Sequence, residues 1–300
     1  MSDPVVPLVP IVNAVITWAQ HHLDVVFSPL KYSLEAVDTL LRSELSLLPP
    51  LLLIALACGS LLIRRQWKTG IAVAVAAAVI LNLGLWRAAL DTLSLVGIAA
   101  GIAVVVGIPL GITMVESRVA HAIIEPILDY MQSTPAFVYL IPSILFFGIG
   151  AVPGVIATAA FSLPPVARSV ALGLAQVPFA AIEAAVACGA TRLQVLWKVK
   201  VPLSRPYIFA GINQCIMMAL SMVVVCALIG ARGLGVEVVT ALTQMNLAKG
   251  IESGIAVVLL AFVLDRLCRP ARSKLSERSV TVQLKRPQQR YPGYNADPVA

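Results

Sequence analysis

Apolar runs separated by short polar intervals fill the chain from residue 47 to residue 268. Seven of them read as membrane spans, at 47–63, 70–86, 93–115, 135–150, 152–173, 207–229 and 254–264. A helical span needs about 20 apolar residues, within a range of roughly 17–25, so the first two sit near the short end. The last crosses only if Ser253 and Leu267-Cys268 are drawn in. Pro109 is expected to kink the third span. Pro164-Pro165 is expected to interrupt the fifth, making a hinge or a cavity wall whose freed carbonyls need partners. The spacings Gly97-x3-Gly101 and Gly107-x3-Gly111 permit close helix approach.

Upstream, Leu30, Leu34, Val37, Leu41, Leu45 and Leu48 recur at helical spacing, with Lys31, Glu35, Asp38, Arg42 and Glu44 elsewhere around the wheel. Residues 1–46 therefore read as an amphipathic segment with an anchoring role, lying along the membrane or against the bundle. Between the fifth and sixth spans, residues 183–202 carry Glu183, Arg192, Lys198 and Lys200, too polar a set for hydrocarbon. Ile182, Ala185 and Val186 share one helical face, and Leu193, Leu196, Trp197 and Lys200 another. Gly189 stands between them, where the chain can turn sharply, and Pro202 is expected to end the second helix. Two short helices meeting at a glycine on the aqueous side of a membrane make a docking knob.

Composition supports the same class. Of 300 residues, 59% are hydrophobic and 12% charged, against about 25% charged in soluble domains; the mean hydropathy is +0.91. A net charge of +7 could suggest nucleic acid, but eight of the 22 Lys and Arg follow Asp265, mostly in a basic tail at 269–300. Charge placed there is a topology and headgroup signal, so the expected partner is lipid and not nucleic acid. With 183–202 in the cytoplasm, sixteen Lys and Arg fall inside, among them Arg64, Arg65, Lys68, Arg118 and Arg205. Five fall outside (Lys31, Arg42, Arg87, Arg232 and Lys249), and Arg168 lies at the boundary, where it can snorkel. The expected topology has the N-terminus outside and the C-terminus inside.

Candidate chemistry narrows the class further. Five scattered cysteines indicate neither a disulfide framework nor a zinc site. No Lys or Arg precedes Lys31, so a secretory signal peptide is not supported. Asp91, Glu252 and Asp265 fall at span ends, which counts against an ion-coupled carrier, since carriers place such groups within spans. His21, His22 and His121 have no partners at metal or catalytic spacing and read as solvated, and no nucleophile–base pair suggests an enzyme. No G-x-x-x-x-G-K-[ST] loop occurs to cradle nucleotide phosphates. Asn82, Asn213 and Gln214 are expected to join helices.

Residues 183–202 resemble the signature loop of permease subunits of ATP-binding-cassette importers: Glu-Ala-Ala, three residues, Gly, nine residues, then Ile-x-Leu-Pro. Glu183, Ala184, Ala185, Gly189 and Pro202 match, with Val199 and Val201 in place of Ile and Leu. Three further stretches resemble the branch that imports glycine betaine, choline and proline betaine. They are Met-Gln-Ser-Thr-Pro-Ala-Phe-Val-Tyr at 131–139, Phe-Ser-Leu-Pro-Pro-Val-Ala-Arg at 161–168 and Leu-Ser-Met-Val-Val at 220–224; Leu-Asp-Arg-Leu at 264–267 fits the same branch. The resemblance spans about 47–269.

It implies an all-α bundle of the type I importer permease kind in the bacterial inner membrane, working by alternating access. It implies cytoplasmic ATPase subunits that hold ATP and Mg, an extracytoplasmic binding protein and a second permease copy, most simply a homodimer. The residues that would couple to the ATPase are Glu183, Ala184, Ala185, Gly189, Ala190, Thr191, Arg192, Leu193 and Pro202. Import of an amino acid such as histidine is the alternative within this architecture, and an ion-coupled secondary carrier the alternative from another class. A quaternary ammonium is favoured by aromatic faces, which makes Phe137, Tyr139, Phe146, Phe147 and Phe161 candidates for its path. Gln132, Ser133 and Thr134 would stand at the cytoplasmic entrance.

Overall fold

The computed structural model describes residues 8–63 and 67–268, with side chains from Phe27 onward. Arg64, Arg65, the side chains of His21 and His22, and the expected tail at 269–300 lie outside the described residues. Every described element is helical. In chain order they are α1 (Leu8–Leu47), α2 (Pro50–Ile63), α3 (Trp67–Asn82), α4 (Trp86–Glu116) and α5 (Arg118–Ser133). A 3-10 turn (Ala136–Tyr139), α6 (Leu140–Phe147), α7 (Ala151–Ala175) and α8 (Phe179–Ala187) follow. Then come α9 (Arg192–Val195), a π turn (Leu196–Lys200), α10 (Val201–Ala227), α11 (Leu234–Thr243) and α12 (Leu247–Cys268).

The centre is made by α4, α7 and α10, which pack most extensively on one another and fully bury Leu95, Val166, Ala219 and Met222. Small residues set the approach of α4 to α7. A Cβ on Gly111 would lie 2.5 Å from the Ala167 carbonyl oxygen, and one on Gly107 2.9 Å from the Val166 Cβ. Gly97 and Gly101 are exposed with nothing within 4 Å, so among the described residues only one of the two glycine spacings packs helices. Buried hydroxyls must find partners inside the protein where water is excluded. Thr158 and Ser162 donate to the carbonyls of Gly154 and Thr158, each at 2.7 Å. Thr92 donates to the Ala88 carbonyl and accepts the Leu234 N–H at 2.8 Å, which fastens the start of α11 to α4.

Two expectations about prolines are corrected. Pro164-Pro165 does not interrupt α7, which runs unbroken with both prolines buried. Adjacent prolines remove two successive donors and free only the carbonyls one turn back, at Ala160 and Phe161, while packing on both sides holds the helix through the gap. Pro202 does not end the second helix of the knob: α9, the π turn and α10 form one helical path, Arg192–Ala227. At the π turn the Val201 N–H bonds the Leu196 carbonyl, five residues back. That wider turn makes room for the Pro202 ring, which in a regular helix would strike the carbonyl four residues back. α4 likewise continues through Pro109.

The seven apolar runs are helical over most of their length, but they differ in reach, and the fourth is only a 3-10 turn and the eight-residue α6. Four helices are long and apolar enough to cross a membrane: α4, α7, the α9–α10 path and α12. At 1.5 Å per residue α4 extends about 46 Å and α12 about 33 Å, against a hydrocarbon core of ~30 Å. α12 achieves this by drawing in buried Ser253 and extending to Cys268. α2 and α3, with 14 and 16 residues, reach about 21 and 24 Å. A fifth crossing is reached if the second half of α1 and α2, bent by 97° at their junction, count as one broken span.

α1 turns a different face to the bundle from the one its leucine stripe suggests. Leu30, Val37 and Leu41 are exposed, whereas Leu34 and Asp38 are buried. Asp38, read from the sequence as part of the polar side of the wheel, accepts the Arg42 Nε–H at 2.9 Å and the Ser94 hydroxyl at 3.1 Å. Arg42 also reaches Asp91, Nη1 to Oδ1 at 3.2 Å. A buried carboxylate needs such partners: Arg42 comes from α1 itself, and Ser94 and the Asp91 that holds Arg42 come from α4. Phe27 completes the contact, its ring centroid 4.9 Å from that of Phe146 and 5.2 Å from that of Phe147.

Candidate functional site

The knob forms at the end of the bundle where α7 gives way to α8. α8 closes with a Schellman turn: the Ala190 N–H bonds the Ala185 carbonyl at 3.0 Å, and the Gly189 N–H bonds the Val186 carbonyl at 2.9 Å. Gly189 holds φ +80°, in the left-handed region that a side chain resists. Two residues on, Thr191 starts α9 with a capping box. Its Oγ1 accepts the Gln194 N–H at 3.4 Å, and Gln194 Oε1 accepts the Thr191 N–H at 2.9 Å. Thr-x-x-Gln is a sequence signal for such a start, and it had been available at 191–194.

The turn is therefore hydrogen-bonded on both sides and needs no partner to hold its shape. Glu183, Ala184, Gly189, Thr191, Arg192 and Leu193 are exposed, while Ala185, Ala190 and Pro202 are half-buried. Val195 and Leu196 are buried and anchor the knob. Around it stand four large apolar side chains that packing leaves outside: Phe179 (70% exposed), Val186, Leu193 and Trp197. Of these only Leu193 belonged to the set taken from the sequence motif; the others lie between or beyond its fixed positions. Lys200 Nζ sits 2.8 Å from Glu116 Oε1, joining the knob to the end of α4. A Thr191→Ala change removes the cap at a cost of ~1 kcal/mol. Amides 192–195 should then exchange with solvent about fivefold faster by mass spectrometry, with the spans unchanged.

The substrate-path candidates divide into separate groups. Tyr139 and Phe161 meet edge to face at 5.8 Å, and the Tyr139 hydroxyl donates to the Met131 carbonyl. Phe146 and Phe147 pack on Phe27 instead, and Phe137 is exposed. Ser133 and Thr134 donate their hydroxyls to the Tyr130 carbonyl, closing the end of α5. Gln132 accepts an Arg168 N–H at 2.6 Å, and Asp129 pairs with the other arm of the same guanidinium. Arg168 is thus tied to α5 and not extended toward a headgroup.

Beside this tie, a cavity of about 630 Å³ is lined by Met114, His121, Glu125, Arg168 and Leu172. His121 is exposed, as expected, and its Nδ1 lies 3.3 Å from Glu125 Oε2. Asn213 joins α10 to α12 as expected, donating to Asp265 Oδ1 at 3.0 Å, whereas Gln214 is exposed.

A family model described as binding-protein-dependent transport system inner membrane component matches residues 103–269, a range that contains the knob and begins within α4. The chain is 45% identical over 232 residues to the glycine betaine/carnitine transport permease protein of Listeria monocytogenes, covering 76% of this chain and 82% of that one. It is 42% identical over 279 residues to the glycine betaine transport system permease protein of Bacillus subtilis, covering 92% and 98%. Identity is 40% to the glycine betaine/proline betaine transport system permease protein of Escherichia coli, covering 92% and 79%. Among solved structures, the inward-facing MetNI methionine ABC transporter shares the fold, with TM-score 0.57 and 23% identity over 63% of this chain and 96% of that chain.

Proposed function

The chain belongs to the family of binding-protein-dependent transport system inner membrane components, and on that premise we propose that it imports a quaternary-amine osmolyte: glycine betaine, proline betaine or choline. As a permease of this family it is a translocation subunit in the bacterial inner membrane. ATP hydrolysis resides on a separate ATPase subunit, and a substrate-binding protein is the other partner. Membership sets aside the ion-coupled carrier. The observation that carries the substrate class is the likeness to a glycine betaine permease over nearly the whole of both chains.

In this reading the knob faces the cytoplasm and docks on the ATPase, with Phe179 and Trp197 as apolar anchors around Gly189. Fully desolvated aromatic anchors carry most of the energy of such contacts. Closure of the ATPase pair on ATP pulls the knob. The continuous α9–α10 path and the Lys200–Glu116 pair pass that movement to the central helices. Two copies of the chain enclose the path, with Tyr139 and Phe161 as its aromatic contact and the exposed stripe of α1 against lipid. The N-terminus lies outside.

The test is uptake into proteoliposomes that hold this chain, its ATPase and its binding protein, with labelled glycine betaine, choline or histidine and with ATP inside or withheld. Uptake of an amine that needs both ATP and the binding protein is the expected result. Preferred uptake of histidine would overturn the substrate class, and uptake by the permease alone on an ion gradient would overturn the coupling.

A further inference from the structure

At the end of the bundle away from the knob lies a cavity of about 810 Å³. Chain direction fixes its place. α4 runs from the cavity wall at Arg87 and Asp91 to Glu116, the partner of Lys200 in the knob, and α7 runs from the wall at 151–153 to α8. The length of α4, about 46 Å, exceeds the ~30 Å hydrocarbon thickness, so cavity and knob open on opposite faces of the membrane.

The wall carries both signs of charge, with Lys31 and Glu35 from α1, Arg87 and Asp91 from α4, and Arg232 from the loop after α10. Arg42 is already engaged by Asp38 and Asp91. Lys31, Arg87 and Arg232 have no ion pair among the described residues. Arg232 is held in place by its loop: the Leu234 N–H donates to Thr92 Oγ1 at 2.8 Å, and the Gly150 N–H to the Ile229 carbonyl at 3.0 Å. From there its charge acts on Asp91.

An arginine without a protein carboxylate offers a planar fork of donors that fits one from a ligand. A fixed cation with no N–H can make no ordinary hydrogen bond and is held by nearby negative charge, here Glu35, since the wall's other carboxylates, Asp38 and Asp91, already hold Arg42. A simple anion would meet these carboxylates, and a simple cation would meet the arginines. A molecule that carries both charges matches the wall.

We infer that this cavity is a transient receiving site for a small zwitterion with a carboxylate and a fixed cation, taken up between the binding protein and the interior of the bundle. Arg87 and Arg232 receive the carboxylate, and Glu35 faces the cation. The inference rests on the quaternary-amine reading and narrows it, because a betaine has the carboxylate and choline lacks it. It also gives α1, which lies before the matched family region, a wall of the transport path.

The test compares the whole transporter (permease, ATPase and binding protein) in proteoliposomes with and without the double change Arg87→Gln and Arg232→Gln. Both side chains are exposed, so folding is expected to survive, and size-exclusion of the purified complex checks it. The maximal rate of glycine betaine uptake at saturating loaded binding protein should fall about tenfold, with the half-saturating concentration of binding protein unchanged. An unchanged maximal rate overturns the inference. So does a loss seen only in the half-saturating concentration, which would make these charges a docking surface for the binding protein. Absence of amine uptake by the unaltered transporter is a separate result, and it would remove the functional reading itself.

Discussion

A Gly189→Asp permease will insert and assemble but lose ATP-driven uptake by about 100-fold, or ~2.7 kcal/mol. The choice of substituent separates two effects. Gly189 sits at φ +80°, where a Cβ costs ~1–2 kcal/mol, but Asp is one of the few residues that visits this region readily. A Cβ there meets no atom of the chain within 4 Å, so nothing in the permease resists the side chain. The side chain enters open space in a turn whose residues Val186, Arg192 and Leu193 are also exposed, the surface proposed above to dock on the ATPase. The expected loss is of the size found when the centre of an interface is spoiled. Gly189→Ala, smaller and uncharged, should lose only a few-fold. Uptake and binding-protein-stimulated ATP hydrolysis are read in proteoliposomes, with membrane insertion followed separately. Retention of coupled uptake by the inserted Asp variant would falsify the docking role of this turn.

The knob was legible because its grammar is local. The glycine read at the close of one short helix is satisfied by partners within five residues, and the Thr-x-x-Gln cap of the next, which sequence reasoning missed, is just as local. The same locality misled at Pro202, where the usual rule that proline ends or kinks a helix is overridden by a π turn whose cause is not written in the proline itself.

The face of α1 was not legible for the opposite reason. Asp38 is buried against Ser94, and Asp91 steadies the Arg42 it pairs with; both lie more than fifty positions along the chain, and no periodicity within 1–46 can announce them. The aromatic candidates show the same limit. Their type suggested a cation path, but only the tertiary fold divides Phe146 and Phe147, which pack on Phe27, from Tyr139 and Phe161, which meet each other. The span count fell between these cases. Apolarity marked every run, but reach across a bilayer depends on where each helix starts and stops.

The two glycine spacings of α4, indistinguishable as sequence, give the second large effect. Gly111→Leu should leave no stably folded permease, whereas Gly101→Leu should leave the fold of the chain intact. A Cβ at Gly111 would stand 2.5 Å from the Ala167 carbonyl oxygen and 2.6 Å from the Val170 Cβ. The first of these is backbone and cannot rotate aside, so α4 and α7 must part along the most extensive contact in the bundle.

Overpacking by even one carbon costs ~1–3 kcal/mol, which is the loss expected for Gly111→Ala. The three further carbons of leucine would take it past the 5–15 kcal/mol typical of whole domains only if the helices could not separate at all. Separation exposes buried Val166 and Val170, and misassembly is the lower route. At Gly101 the added side chain enters open space, and surface changes of this kind stay within about 0.5 kcal/mol. Thermal unfolding of the purified permease in detergent, read beside its size-exclusion profile, distinguishes the two sites. Equal losses at both would mean that α4 meets α7 through a face other than Gly107 and Gly111. A loss at Gly111 alone would establish that α4 packs on α7 through Gly107 and Gly111, along the helix that joins the charged cavity to the knob at Glu116.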